Sequence, residues 1–181
     1  MYIMPIKGVT ILAATKGRTV KEISQAVATG IFVIGENRVQ ELLNKLPNLP
    51  KKIRIDFIGH LQNNKVKDVV KTCFLIHSVD SLHLAQEIDK QAKKIGKIQK
   101  ILLEINIAQE KSKHGFNPEE LMSSVEKILK MKNLQLQGLM TMAPDFEKKE
   151  MTRPIFKKLK TLHSDLEKKY LFFNENGQLV R

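Results

Sequence analysis

Short apolar runs and amphipathic helical segments alternate six times along this chain, and that rhythm restricts the fold more than any single motif. Residues 10–15, 31–34, 53–58, 74–77, 101–105 and 134–140 read as buried strands. Helices are expected at 20–29, closed by Gly30, and at 38–45, broken by the stretch from Pro47 to Pro50. Others are expected at 62–70, from an Asp80 or Ser81 cap to Gly96, from an Asn117 cap with Pro118 at the first helical position to about residue 130, and at 151–169. Near-continuous apolar strands alternating with helices imply a parallel sheet covered by helices. A doubly wound α/β sheet is complete with six strands. A (β/α)8 barrel needs two further units and usually runs to roughly 250 residues. The pattern leaves both open. Residues 15–18 carry no G-x-G-x-x-G fingerprint, so dinucleotide binding has little support.

Composition removes several classes. With 181 residues and 42% hydrophobic content, the chain suits one domain with a real core. One cysteine, Cys73, rules out an internal disulfide framework and suits a reducing compartment. No leader-like segment and no run of roughly 18 apolar residues is visible, so a cytoplasmic protein without membrane contact is expected. The net charge of +12 raises the question of nucleic acid. The lysines are scattered, mostly beside acids on helix surfaces, so nucleic-acid binding is not expected as the main role.

In parallel α/β folds, ligands meet the carboxyl ends of the strands. There stand Lys16 after the first run, residues 35–38 (Gly-Glu-Asn-Arg) after the second and residues 59–62 (Gly-His-Leu-Gln) after the third. His77 to Asp80, then Asn106 with the loop bearing Lys111, Lys113 and His114, then residues 140–144 follow the others. A lysine at such a position is a candidate nucleophile toward a carbonyl, since partial desolvation favours the free amine. Taken alone, a loop lysine in a lysine-rich chain is ordinarily a solvated group. His60 and His77 can serve as acids, bases or strand-end caps; they lack metal-ligand spacing on one element, so no metal is assigned. Asn37 and Arg38 read as helix caps and Met140 as core. No G-x-S-x-G occurs, and Cys73 opens an apolar strand, so hydrolysis through a nucleophile has little support.

Six motifs in order nevertheless resemble one family. They are Thr15-Lys16, GENRVQE at 35–41, FIGHLQNNK at 57–65, IHSVDS at 76–81, EKSKHG at 110–115 and GLMTMAP at 138–144. Together they are similar to the pyridoxal 5′-phosphate (PLP) homeostasis proteins, the YggS or PROSC family, over about residues 10–166. The resemblance implies an alanine-racemase-like TIM barrel, here incomplete with about six βα units, spanning residues 1–169. It implies PLP as cofactor, held as a Schiff base on Lys16, with Asn37, His60 and Met140 as further cofactor-binding residues. It implies a role in intracellular PLP (vitamin B6) homeostasis without catalytic turnover, with PLP-dependent apo-enzymes as recipients. Racemase chemistry on this scaffold wants a second base, commonly a tyrosine, and this chain has only Tyr2 and Tyr170.

The chain departs from the family at its end. The family's later segments, which look like the seventh and eighth strands with their phosphate loops, have no counterpart in residues 170–181, taken as a non-matching tail. A truncated barrel of this kind is expected to hold PLP more weakly by several powers of ten, since charge-assisted phosphate bonds contribute roughly 1.5–3 kcal/mol each. It is also expected to be a monomer, or to self-associate weakly through open barrel edges. A non-binding remnant and a basic nucleic-acid module are the alternatives.

Overall fold

The six apolar runs pair as one parallel sheet of β1 (Leu12–Ala14), β2 (Val33–Glu36), β3 (Arg54–Phe57), β4 (Leu75–Val79), β5 (Gln99–Glu104) and β6 (Leu134–Met140). These come from a computed structural model that describes residues 8–109 and 114–170. The spatial order of the strands is their order in sequence. A doubly wound sheet reverses its order at a switch point and carries helices on both faces. With no reversal, the six units are consecutive staves of a (β/α) barrel wall. β1 and β6 form its two edges among the described residues.

The helices are α1 (Val20–Ala28), α2 (Val39–Lys45), α3 (Val66–Thr72), α4 (Leu82–Lys94), α5 (Leu121–Ile128) and α6 (Arg153–Tyr170). Cross-strand neighbours share a face. Phe57, Ile76, Ile101 and Leu136 lie opposite one another and join one buried cluster with Leu42, Val69, Ile88, Val125 and Leu166 from the helices. Ala14, Gly35, Asp56, Leu75 and Lys100 form the adjacent row and take the opposite face, the inner wall of the barrel. At β6 the register slips between Ile101 and Leu102, and Gly138 has φ +148°. Such a slip re-aims the side chains beyond it. Met140 therefore stands opposite Glu104, on the inner side, rather than in the helix-facing core that simple alternation assigns it.

Several boundaries differ from the sequence expectation. β2 runs from Val33 to Glu36 instead of over 31–34, and Phe32 is exposed. The strand continues into Gly35 and Glu36 because the buried Glu36 carboxylate has cationic company, which hydropathy does not register. α3 starts at Val66, after a 3-10 turn at Asn63–Lys65, and the Asn63 amide meets the His83 ring. α5 starts at Leu121, because Asn117 first closes a turn by accepting the Glu119 N–H. Cys73 caps the C-terminus of α3 instead of opening a strand, and burial pushes its thiol up to about 12. The segment at 110–113 and the tail from 171 onward lie outside the described residues.

Gly59 is a place where only glycine fits. A Cβ there would lie 2.1 Å from the Asn37 carbonyl oxygen, so its absence lets the loops after β2 and β3 touch backbone to backbone. Ser78 holds that contact by donating to the Gly59 carbonyl. Gly59→Ala is therefore expected to lower the unfolding free energy by about 1–3 kcal/mol or more, as overpacking against rigid backbone does. Urea denaturation of the variant beside the parent chain checks this, and equal midpoints would contradict it.

Candidate functional site

Two buried charges, Glu36 and Lys45, and the partly exposed Glu41 organise the loop that carries Lys16. Thr15 continues the β1 ladder, its N–H donating to Gly35 at 2.9 Å, and its hydroxyl donates to Glu36 Oε1 at 2.7 Å. The Lys45 ammonium donates to the Thr15 carbonyl at 2.7 Å, to Glu36 Oε1 at 2.8 Å and to Glu41 Oε1 at 2.7 Å. An ammonium has three protons, and these partners use all of them. Glu41 Oε1 also accepts the Gly17 N–H at 2.6 Å. The turn closes with Arg18 N–H on Thr15 O, and Gly17 takes φ +71°, a conformation glycine adopts without strain. Lys16 is thus held on both sides by fixed backbone while its own side chain is exposed.

Burial acts to lower the Lys45 pKa, and the hydrogen bonds to Glu36 and Glu41 outweigh it, so the ammonium is held above its ordinary value. The hydrogen bond from Lys45 keeps the Glu41 carboxyl below its usual range. All three acidic and basic members lie in β2 and α2, within or just after the GENRVQE segment. Sequence reasoning read that segment as a helix cap. The i,i+4 spacing of Glu41 and Lys45 was visible as a helical ion pair, but the reach of Lys45 back to Glu36 and Thr15 is tertiary.

The inner wall below the mouth carries a second polar group. Asp56, fully buried, accepts a two-pronged bond from Arg54 at 2.9 and 2.7 Å, and its Oδ2 lies 2.9 Å from His77 Nε2. Burial raises the Asp56 pKa, but the His77 and Arg54 contacts overcome it and bring it below its ordinary 3.8. His77 therefore sits inside β4, hydrogen-bonded to Asp56 in the wall, not at a strand end.

At the mouth, Asn37, His60 and Met140 stand at the carboxyl ends of β2, β3 and β6, as Lys16 does at β1. Asn37 is half-buried against Gly59, and Met140 is half-buried opposite Glu104. His60 packs its ring on His114, centroids 3.9 Å apart and 15° from parallel. Both Nδ1 atoms face Asp80 Oδ2, at 3.3 and 3.7 Å. Burial first, then the nearby Asp80 charge, raises the Glu104 carboxyl pKa, and His114 and His60 pull it partly back. Sequence reasoning placed His60 and His114 at this mouth singly and did not join them, because they come from different loops.

The chain matches the profile described as alanine racemase, N-terminal domain, over residues 8–175. It is 41% identical to the pyridoxal phosphate homeostasis protein of Aquifex aeolicus, over 88% of this chain and 71% of that one. Among solved structures it is similar to PipY of Synechococcus elongatus, at 30% identity. Without PLP that structure gives a TM-score of 0.86, covering 91% of this chain and 77% of PipY. The PipY structure with PLP bound gives 0.79, covering 88% and 76%. Alanine racemase of Clostridium difficile, at 20% identity, shares the fold with a TM-score of 0.74 over 89% of this chain and 46% of the racemase.

Two outcomes follow from the ion pairs. Lys45→Met strips a charge from the buried Glu36 and is expected to cost roughly 3–5 kcal/mol, with faster hydrogen exchange at the Gly17 and Arg18 amides; unchanged exchange there would contradict the clamp. For Asp56, a depressed carboxyl contributes stability that is present above pH 3.8 and disappears as pH falls through the lower folded value. The stability gap between the parent and Asp56→Asn, measured by denaturant titration, should hold at neutral pH and close below about pH 4.

Proposed function

Since the chain belongs to the alanine racemase N-terminal domain family and, within it, to the pyridoxal phosphate homeostasis proteins, we propose that it binds PLP and serves in intracellular PLP homeostasis, with Lys16 as the covalent attachment point. PLP brings an aldehyde that a primary amine takes up as a Schiff base. The observation that carries this reading is the Lys16 turn. An exposed amine stands at the mouth end of β1, on backbone immobilised by Thr15, Glu36, Glu41 and Lys45. The Thr15 hydroxyl is taken up by Glu36, and Lys16 opens the turn that follows β1, next to the exposed Ala14.

The residues fit such a group. Ala14, the last residue of β1, is small and exposed beside the Lys16 turn, while the Leu12 and Ile58 side chains cover Gly35. Asn37 and His60 offer polar atoms at the neighbouring strand ends, and Met140 offers a polarisable apolar edge. Positioning, rather than turnover, is what these groups supply. Tyr170, the one described tyrosine, donates its hydroxyl to Glu126 Oε1 at 2.8 Å, between the ends of α6 and α5. That use suits a cofactor carrier better than a racemase. Among the described residues no helix is long and apolar enough to cross a membrane. A cytoplasmic setting, with delivery to PLP-dependent apo-enzymes, completes the reading.

Incubation with PLP, borohydride reduction and peptide mapping test it. The expected result is one dominant modified lysine, Lys16, and loss of that label in Lys16→Ala. Equal labelling of many lysines, or none, would overturn the assignment. Lys45→Met should label Lys16 less completely than the parent does, because its turn is no longer clamped.

A further inference from the structure

Three successive strand-end loops deliver His60, Asp80 and His114 to one point, with a ligand atom from each within 4.8 Å of the others. We propose that this trio is a binding site for a divalent transition-metal ion of the zinc class, with one coordination position left open to the mouth. The site takes no residue of the Lys16 turn but shares His60 with the PLP reading; the titrations below are run without PLP, so either reading can fail alone.

The spacing is the first argument. Around a four-coordinate ion with nitrogen and oxygen bonds of about 2.0–2.2 Å, ligand atoms lie roughly 3.3–3.6 Å apart. Here the two ring nitrogens stand 3.3 and 3.7 Å from the same carboxylate oxygen. The longer distance exceeds the usual N–H···O hydrogen-bond range of about 2.7–3.2 Å. An ion between the three groups would give both ring nitrogens a partner and would separate two imidazoles that otherwise compete for one oxygen.

The second argument is preorganisation. Gly59 is locked against Asn37, and Ser78 donates to its carbonyl, which fixes the start of the His60 loop two residues before Asp80. On the other side the chain leaving His114 is pinned: Phe116 N–H donates to Glu104 O at 2.8 Å, and Asn106 N–H donates to Phe116 O at 3.1 Å. Gly115, at φ +123°, allows this, since a Cβ there would lie 2.7 Å from Asn106 N.

The donor set names the ion class. Two imidazoles and one carboxylate favour zinc, cobalt, nickel or copper over magnesium or calcium, which take mostly oxygen ligands. Three protein ligands on a surface that is open (His60 and His114 side chains are 46% and 58% exposed) leave room for water or another oxygen ligand.

Cobalt(II) titration of the full chain, followed by calorimetry and visible absorption, tests the proposal. One equivalent should bind and develop the visible bands of four- or five-coordinate cobalt. His60→Ala, His114→Ala and Asp80→Asn should each weaken binding at least about tenfold, while His83→Ala, on the neighbouring helix, should not. No saturable binding, or equal affinity in the His60 and His114 variants, would overturn it. Zinc added to the parent chain supplies a check that needs no variant. Imidazole NMR resonances of His60 and His114 should shift and those of His83 stay; absent or uniform shifts would count against the site.

Discussion

The buried Lys45 ammonium, shared by Glu36, Glu41 and the Thr15 carbonyl, is the contact on which the mouth depends. It ties the end of β1 to β2 and both to α2, three elements that the sheet ladder and the core would otherwise join only lower down. A buried charge pair such as Glu36 and Lys45 is costly to desolvate and contributes little net stability by itself, but losing one partner leaves a charge stranded. That asymmetry makes it a device for fixing geometry. Glu36 is fully buried, so the position of Lys45 is set to within a hydrogen bond, and the Lys16 turn with it.

A second consequence of the sequential strand order is a wall with two distinct faces. On the helix side, Phe57, Ile76, Ile101 and Leu136 form an apolar cluster with the helices, and the charged group of Glu36 and Lys45 lies at its β2 end. The inner side carries Arg54, Asp56 and His77 in one ion-paired group, with Lys100 and Arg54 each 4.5 Å from the Phe74 ring centroid. Polar residues on the inner side and the strand-end groups above them belong to the same design. The wall supplies a rigid base, and the loops supply the chemistry.

Much of this was legible in the residues. The six apolar runs located the six strands of the described residues, because each strand carries an apolar face against the helices. What hydropathy missed was where charge takes the place of apolarity. Glu36 ends β2 beyond the apolar run, its buried carboxylate paired with Lys45 of the next helix. The direction of Met140 was hidden for another reason: a register slip at Gly138 turns it inward, and alternation counts cannot see a slip. The choice between an open sheet and a barrel was equally hidden, because strand order is a property of pairing. At the site, Lys16 was readable as a strand-end amine. The His60, Asp80 and His114 cluster was not, since its members are 20 and 34 residues apart and meet only once the loops are stacked.

The central claim is that fixed backbone presents the Lys16 amine at the inner mouth of the barrel wall. A crystal structure of the chain grown with PLP tests it most directly. The account predicts continuous density from Lys16 Nζ to the cofactor, with the ring at the carboxyl ends of β1 and β2 and the Thr15–Glu36–Lys45 contacts unchanged. Density joined to a different lysine, or a cofactor seated away from the ends of β1 and β2, would contradict it.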